Sequence, residues 1–235
     1  MTMRLLLLSN STKHGQGYLD HAMPAIRDLL GPVRRLAFVP FALRDREAYT
    51  AKVRTRFEKE GIEVQGLRPA GSEAPVLEAA EAVFVGGGNT FRLLDTLQRT
   101  GLLDALRRRA RAGAPYLGAS AGTNIAAPTI KTTNDMPIVQ PASFSALGLV
   151  PFQINPHYLD ADPSSRHMGE TRDDRLREFL EENDAVVVGL REGAWLRVEG
   201  SGVSLGGRRG ARIFRRRHEP EEAGPGAILD ALLKA

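Results

Sequence analysis

The sequence predicts an α/β fold with a mainly parallel sheet, helices on both of its faces and an antiparallel extension at the C-terminal end. Short runs that are apolar on both faces alternate with amphipathic segments, which is typical of parallel strands buried between helices. After Ala194 the pattern changes to short alternating runs separated by glycine-rich turns, which is typical of antiparallel strands.

The predicted elements follow one another without a long linker. Five apolar runs predict strands at residues 5–8, 35–40, 82–85, 116–117 and 185–190. Amphipathic segments predict helices at residues 21–30, 49–60, 90–97, 102–112 and 174–182. Residues 195–198, 202–205 and 211–214 predict an antiparallel meander, and residues 227–233 a short closing helix. Because no repeat or linker interrupts this order, residues 1–235 are expected to form one domain.

Composition excludes several kinds of site. The 235 residues include no cysteine, which excludes disulfides, thiolate metal ligands and a cysteine nucleophile, and fits a reducing compartment. The apolar run at residues 5–8 is too short for a signal peptide, and no segment has the length of a membrane-spanning helix. A cytoplasmic protein is therefore expected.

The basic charge does not indicate a nucleic-acid site. The net charge is +4 and the pI is about 9.7, but most arginines are scattered through amphipathic segments. The densest cluster, at residues 215–217, has no interleaved aromatic residues. These arginines are expected to lie on a solvated surface, with no nucleic-acid or membrane partner.

The most informative stretch is Gly-Ala-Ser-Ala-Gly at residues 118–122. It follows a short apolar run and precedes a helix-compatible one, as a nucleophile elbow requires. Small residues two positions before and after Ser120 let the chain fold back sharply, which places the serine oxygen at a helix N-terminus. Ser120 is therefore the candidate nucleophile.

A serine nucleophile needs a base, and histidine is the usual one. The chain has five histidines: His14, His21, His157, His167 and His218. His21 falls in a predicted helix and His218 in the charged C-terminal part, so both are expected to be structural. His157 ends an extended apolar segment, and chain ends beyond strands build the sites of open α/β sheets. It is the candidate base.

Two carboxylates compete for the role of orienting the histidine. Asp135 lies in a polar loop between the nucleophile and His157, and Glu192 follows the strongest buried-strand signal. A carboxylate at the end of a strand is held more rigidly, which favours Glu192. Asp135 would then bind a free α-amino group of the substrate. The residues themselves leave the choice open.

A glycine cluster at residues 86–90 follows the strand at 82–85 and opens a helix. It fits neither dinucleotide-binding nor P-loop spacing. Bare backbone N–H groups suit an oxyanion hole, so the expected donors are Gly88 or Gly87 together with Ala121, the residue after the nucleophile.

A polar segment at residues 166–175 leads into the helix at 174–182. Arginine binds carboxylates through two hydrogen bonds, so this segment is a candidate for gripping an acidic substrate. Spacing alone does not choose among Arg166, Arg172 and Arg175.

Together these motifs resemble those of serine peptidase family S51, the peptidase E or α-aspartyl dipeptidase family. The resemblance covers most of the chain, through the segments at residues 7–12, 86–90, 118–122, 153–157, 169–172 and 189–193. It implies a flavodoxin-like fold related to class I glutamine amidotransferases, and metal-free, cofactor-free hydrolysis of dipeptides with N-terminal aspartate.

The resemblance also assigns residues. It implies Ser120 as nucleophile and His157 as base, with the third member at Asp135 or Glu192 and Arg172 as the binder of the substrate's aspartate side chain. The expected partner is a small acidic dipeptide. The sequence does not set the oligomeric state, and a homodimer is one option. Two alternatives remain: a cyanophycinase-like hydrolase of β-aspartyl links, and a non-catalytic binding protein of the same fold.

Overall fold

Two β-sheets organise the computed structural model, which describes residues 2–161, 164 and 169–234. The strands in this part of the chain are β1 (Arg4–Leu8), β2 (Arg35–Val39), β3 (Glu63–Gly66), β4 (Ala82–Val85), β5 (Tyr116–Ala119), β6 (Gln153–Tyr158), β7 (Val187–Arg191), β8 (Ala194–Glu199), β9 (Gly202–Gly207), β10 (Ala211–Phe214) and β11 (Glu221–Ala223). The α-helices are α1 (Met23–Leu30), α2 (Arg46–Glu58), α3 (Ala74–Ala79), α4 (Thr90–Arg99), α5 (Leu102–Arg111), α6 (Ala121–Asn124) and α7 (Arg172–Glu182).

The larger sheet has the strand order β3-β2-β4-β5-β1-β8-β9. Its first five strands run parallel, and β8 and β9 are antiparallel additions beside β1. The smaller sheet has the order β11-β10-β7-β6, in which only β6 and β7 run parallel. The mainly parallel sheet with an antiparallel C-terminal extension is thus confirmed.

Helices cover both faces of the larger sheet because successive side chains of a strand point to opposite faces. Leu6 and Leu8 of β1 belong to the core beneath α1 and α2, whereas Leu5 and Leu7 belong to the core beneath α3 to α6. All four leucines are fully buried, so β1 needs apolar residues at every position. Helix α7 packs through Leu176 and Leu180 on the smaller sheet instead.

The predicted C-terminal meander is wrong in its third strand. Strands β8 and β9 form the expected hairpin, but β10 leaves them and pairs with β7 in the smaller sheet. Ala211 and Ile213 of β10 are buried, but their alternating pattern would suit pairing with β9 as well as with β7. The sequence therefore does not specify the partner strand. The closing helix at 227–233 is a 3-10 helix at Asp230–Lys234.

No sequence pattern predicted three of the elements: β3, α3 and β11. Strand β3 lies at the sheet edge, and Val64 is its one buried residue, so it lacks an apolar run.

None of the helices in the described residues is long and apolar enough to cross a membrane.

This topology creates one functional edge. Strands β1, β4 and β5 are parallel, so their carboxyl ends meet where Ser9, Gly86 and Ser120 follow them. The ends of β6 and β7 approach the same edge, since the backbone N–H of His157 donates to Ser9 Oγ at 2.9 Å. The Ser9 hydroxyl in turn donates to the carbonyl oxygen of Leu190 at 2.7 Å.

Candidate active site

Ser120 lies in a sharp turn between β5 and α6, with φ 54° and ψ −110°. The flanking glycines make the turn possible. A Cβ atom on Gly118 would lie 2.6 Å from the carbonyl oxygen of Gly122, and one on Gly122 would lie 2.1 Å from that of Val85. Both distances are too short for any side chain, so the elbow requires glycine at both positions.

His157 occupies an irregularity near the end of β6. The register with β7 shifts between Pro156 and Tyr158, and His157 itself has φ 55°. Such a bulge re-aims one side chain out of a regular strand. Its Nε2 atom lies 2.8 Å from Ser120 Oγ, so the imidazole can accept the hydroxyl proton.

Glu192 lies on the far side of the imidazole. Its Oε1 atom is 2.6 Å from His157 Nδ1, and the loop that carries it is held by Asn10, whose Oδ1 accepts from the Gly193 N–H at 2.8 Å. This contact fixes the tautomer in which Nε2 faces the serine. The carboxylate predicted at the strand end is thus the one placed next to the histidine.

Asp135 does not contact His157, but lines the same cleft. Its Oδ2 atom accepts from the Thr90 N–H at 2.7 Å, from Thr90 Oγ1 at 2.6 Å and from Thr133 Oγ1 at 3.2 Å. Within the described residues Oδ1 accepts no hydrogen bond. One oxygen therefore anchors the side chain at the N-terminus of α4, and the other is available to a ligand.

The glycine loop offers one committed and one available amide. The Gly87 N–H donates to the hydroxyl of Tyr49 at 2.9 Å. The N–H groups of Gly88 and Ala121 have no acceptor among the residues that the structure describes. Gly88 adopts φ 132°, and a Cβ atom there would lie 2.7 Å from the carbonyl oxygen of Ala42. The free amides suit the pair Gly88 and Ala121 as oxyanion donors.

Arg172 is the first residue of α7 and is not among the residues that line the cleft. It is half-buried and has no hydrogen-bond or ion-pair partner in the described part of the chain. Burial lowers its pKa, as does the charge of Arg175. Of the other two candidates, Arg175 pairs with Glu170 at 3.4 Å, and Arg166 lies outside the described residues.

The histidines expected to be structural lie away from the cleft. His21 belongs to the 3-10 helix Asp20–Ala22, where burial lowers its pKa, followed by the charge of Lys13. The Nδ1 atom of His218 lies 2.8 Å from the Arg216 carbonyl oxygen. His167 is outside the described residues. No group of three or more His, Asp or Glu residues in the described ranges could hold a metal ion.

The cleft beside Ser120 has a volume of about 690 Å³, which suits a small ligand. Five residues that line or support this site had no role assigned from the sequence: Ser9, Asn10, Tyr49, Thr90 and Thr133. A signal for two of them exists, because Ser9 and Asn10 begin a polar run directly after a strand that is fully buried.

Comparison with known proteins adds a family and close relatives. The sequence model of peptidase family S51 matches residues 5–206. Peptidase E of Streptomyces coelicolor is 61% identical over 231 residues, covering 98% of this chain and 95% of the relative. The protein named "Probable alpha-aspartyl dipeptidase" of Drosophila melanogaster is 50% identical over 233 residues, covering 98% of this chain and 97% of the relative.

A solved structure shares the fold. The crystal structure of a peptidase from an acI-B1 actinobacterium superposes with a TM-score of 0.73 and 16% identity, and covers 97% of each chain. At this identity the likeness concerns the fold alone. It agrees with the α/β fold predicted from the sequence.

Proposed function

This chain belongs to peptidase family S51, and we propose that it is a serine dipeptidase that hydrolyses dipeptides with an N-terminal aspartate. The observation that carries the proposal is the line of three side chains that begins at the elbow. Ser120 Oγ lies 2.8 Å from His157 Nε2, and His157 Nδ1 lies 2.6 Å from Glu192 Oε1. This is the arrangement that activates a serine hydroxyl at neutral pH.

In the acylation step, Ser120 Oγ attacks the carbonyl carbon of the aspartyl residue. His157 Nε2 takes the hydroxyl proton as the new C–O bond forms, and Glu192 stabilises the resulting imidazolium. The imidazolium then gives the same proton to the leaving nitrogen. The C–N bond breaks, and the second residue departs as a free amino acid.

The tetrahedral intermediate carries a negative oxygen, which the amides of Gly88 and Ala121 stabilise. Both N–H groups lack acceptors in the described chain, so binding the oxyanion costs neither an existing hydrogen bond. Ala121 also begins a helix, although a short one, directly after the nucleophile. Water then attacks the aspartyl ester with His157 again as base, which releases aspartate and restores Ser120.

Recognition of the N-terminal aspartate needs an anionic group that binds its ammonium and a cationic group that binds its side-chain carboxylate. Asp135 supplies the anionic group, since Thr90 and Thr133 hold its Oδ2 while its Oδ1 accepts no hydrogen bond within the described residues. Arg172 supplies the cationic group in this proposal, because it is half-buried and has no partner among the described residues.

The two alternative functions are not favoured. The relatives are named peptidase E and α-aspartyl dipeptidase, not cyanophycinase, and they match nearly the whole chain. A non-catalytic binding protein would not need an imidazole between the serine hydroxyl and a carboxylate. The partner in this proposal is a small acidic dipeptide, without nucleic acid, membrane or cofactor.

Location and assembly are the remaining parts of the proposal. A cytoplasmic location is supported by the cysteine-free sequence, which needs no oxidising compartment. A homodimer is one option for the assembly, since two-fold dimers are the commonest oligomers of soluble proteins. Light scattering on the purified protein measures the mass and distinguishes the dimer from a monomer of 25.6 kDa.

The decisive experiment compares substrates and one variant. Wild type is expected to release leucine from α-Asp-Leu and to leave β-Asp-Arg intact. It should also prefer α-Asp-Leu over α-Asn-Leu by roughly 10²-fold in kcat/KM, because the neutral amide of asparagine leaves the half-buried Arg172 unpaired. The Ser120→Ala variant is expected to be inactive with all three dipeptides.

Ser201→Ala is the matched control, since Ser201 is exposed in the turn between β8 and β9, at the opposite end of β1 from Ser120. It should keep wild-type rates. Equal rates in wild type and Ser120→Ala, or a preference for β-Asp-Arg, would refute the proposed function.

A further inference from the structure

An anionic and a cationic side chain line the cleft on opposite sides of Ser120. Asp135 is tied to Thr90 at the start of α4, which packs on one face of the larger sheet. Lys52 lies on α2, which packs on the opposite face, and it also lines the cleft. Ser120 stands at the sheet edge between them. A bound molecule that reaches both sides therefore meets an anion on one and a cation on the other.

Lys52 supplies the one ammonium group among the described residues that line this cleft. It follows Tyr49 by three positions on α2, so both side chains share a helix face. Its Nζ atom lies 4.5 Å from the centre of the Tyr18 ring, a cation–π contact that orients the ammonium. The Lys52 side chain is exposed, and no ion pair of Lys52 occurs among the described residues, so its charge is available to a ligand.

A series of contacts connects Lys52 to the reacting centre. The Tyr18 and Tyr49 hydroxyls are 3.3 Å apart, and Tyr49 accepts from the Gly87 N–H at 2.9 Å. A Cβ atom on Gly87 would lie 3.6 Å from Ser120 Oγ. The other charged residue on this side, Asp45, accepts the Ala48 N–H at 2.9 Å through Oδ1 and lies two helical turns before Lys52.

We propose that Lys52 binds the C-terminal carboxylate of the dipeptide, while Asp135 holds its N-terminal ammonium on the other side of Ser120. This inference rests on the proposed function. The acyl residue carries the ammonium and so lies toward Asp135, which leaves the departing residue and its carboxylate toward Lys52. In a longer peptide that position holds an uncharged amide, so Lys52 selects for dipeptides.

The test removes one charge from the substrate and one from the enzyme. Steady-state kinetics compare α-Asp-Leu with α-Asp-Leu-amide, which lacks the C-terminal charge but keeps the scissile bond. Wild type should prefer the free acid by about fivefold in kcat/KM, a modest factor because the pair is open to solvent. In Lys52→Met, kcat/KM for α-Asp-Leu should fall to the value for the amide, and kcat/KM for the amide should not change. Lys52→Arg should retain most of the preference.

Lys59→Met is the control, because Lys59 lies exposed at the C-terminal end of the same helix and does not line the cleft. It should keep the wild-type preference. Hydrolysis of the amide substrate shows that Lys52→Met is folded. If Lys52→Met slows both substrates equally, or neither, the assignment is wrong. If wild type hydrolyses neither substrate, it is the proposed function that fails.

Discussion

His157 and Glu192 meet across two neighbouring strands of the smaller sheet, with Nδ1 and Oε1 2.6 Å apart. Ser120 directly follows β5 of the larger sheet, so the hydrogen bond that its hydroxyl donates to His157 bridges the two sheets. The buried hydroxyl of Ser9 fixes this junction, since it contacts the backbone at His157 and at Leu190. Catalytic geometry thus depends on how the two sheets dock.

Glu192→Gln tests the orienting carboxylate. We expect kcat for α-Asp-Leu to fall by roughly 10²-fold with little change in KM, because an amide stabilises the imidazolium poorly and can hold the wrong tautomer. The Glu192 side chain is 50% exposed, so water replaces part of the lost stabilisation and the loss is smaller than for a buried acid. A wild-type kcat would exclude Glu192 from the triad.

Asp135→Asn tests the substrate-binding carboxylate. The asparagine can still accept from Thr90 and Thr133 but cannot neutralise the substrate ammonium, so KM should rise by about tenfold while kcat changes much less. The same steady-state assay measures both constants. A loss confined to kcat would instead make Asp135 the third triad member, as the sequence alone allowed.

Gly88→Ala tests the oxyanion loop. At φ 132°, and with a Cβ atom 2.7 Å from the Ala42 carbonyl oxygen, alanine forces the loop to move. We expect kcat to fall by about 10²-fold and the free energy of unfolding by about 1–3 kcal/mol. Gly101→Ala is the control, because Gly101 also has a positive φ of 71° but meets nothing within 4 Å. It should lower stability alone. Unchanged kcat in Gly88→Ala would rule out this loop as the donor.

All four tyrosines give a pH prediction. Burial raises the pKa of Tyr18, Tyr49, Tyr116 and Tyr158 above the ordinary value of 10. The native state therefore binds more protons than the unfolded state above pH 10. Stability should be unaffected below that pH and should fall above it, by up to about 1.4 kcal/mol per pH unit for each tyrosine.

Parallel titrations by tyrosinate absorbance and far-ultraviolet circular dichroism check this. We expect tyrosinate to form together with the loss of secondary structure, above pH 10. The prediction would be contradicted if half of the tyrosines ionised near pH 10 while the circular dichroism signal of the helices stayed at its full value. Tyr49→Phe should leave the coincidence of the two transitions intact.

The elbow could be predicted from sequence because its constraint is local. Gly118 and Gly122 are required by contacts within the turn and with the next strand, and the five residues themselves show the pattern. Gly88 differs, because the carbonyl oxygen that excludes a Cβ atom there belongs to Ala42, 46 residues earlier, and the sequence shows only a glycine cluster between a strand and a helix. For Gly118 and Gly122, the pattern of the neighbouring residues is therefore enough to predict the turn.

The supporting contacts could not be predicted, because they join distant parts of the chain. The bond from His157 to Ser9 spans 148 residues, and that from Gly193 to Asn10 spans 183. Neither the period of apolar residues nor a turn signal encodes such a pair. The pairing of β10 with β7 escaped prediction for the same reason, and the roles of Asp135 and Glu192 stay a prediction until the kinetics decide them.

The backbone at Ser120 and His157 has a consequence for how the enzyme can evolve. Both have positive φ, 54° and 55°, a conformation that glycine adopts without penalty and other residues adopt at about 1 kcal/mol or more. Glycine at either position would relieve this backbone strain and give a protein that no longer cleaves its substrate. Folding alone thus drives these positions toward an inactive chain, and only selection for catalysis keeps serine and histidine there.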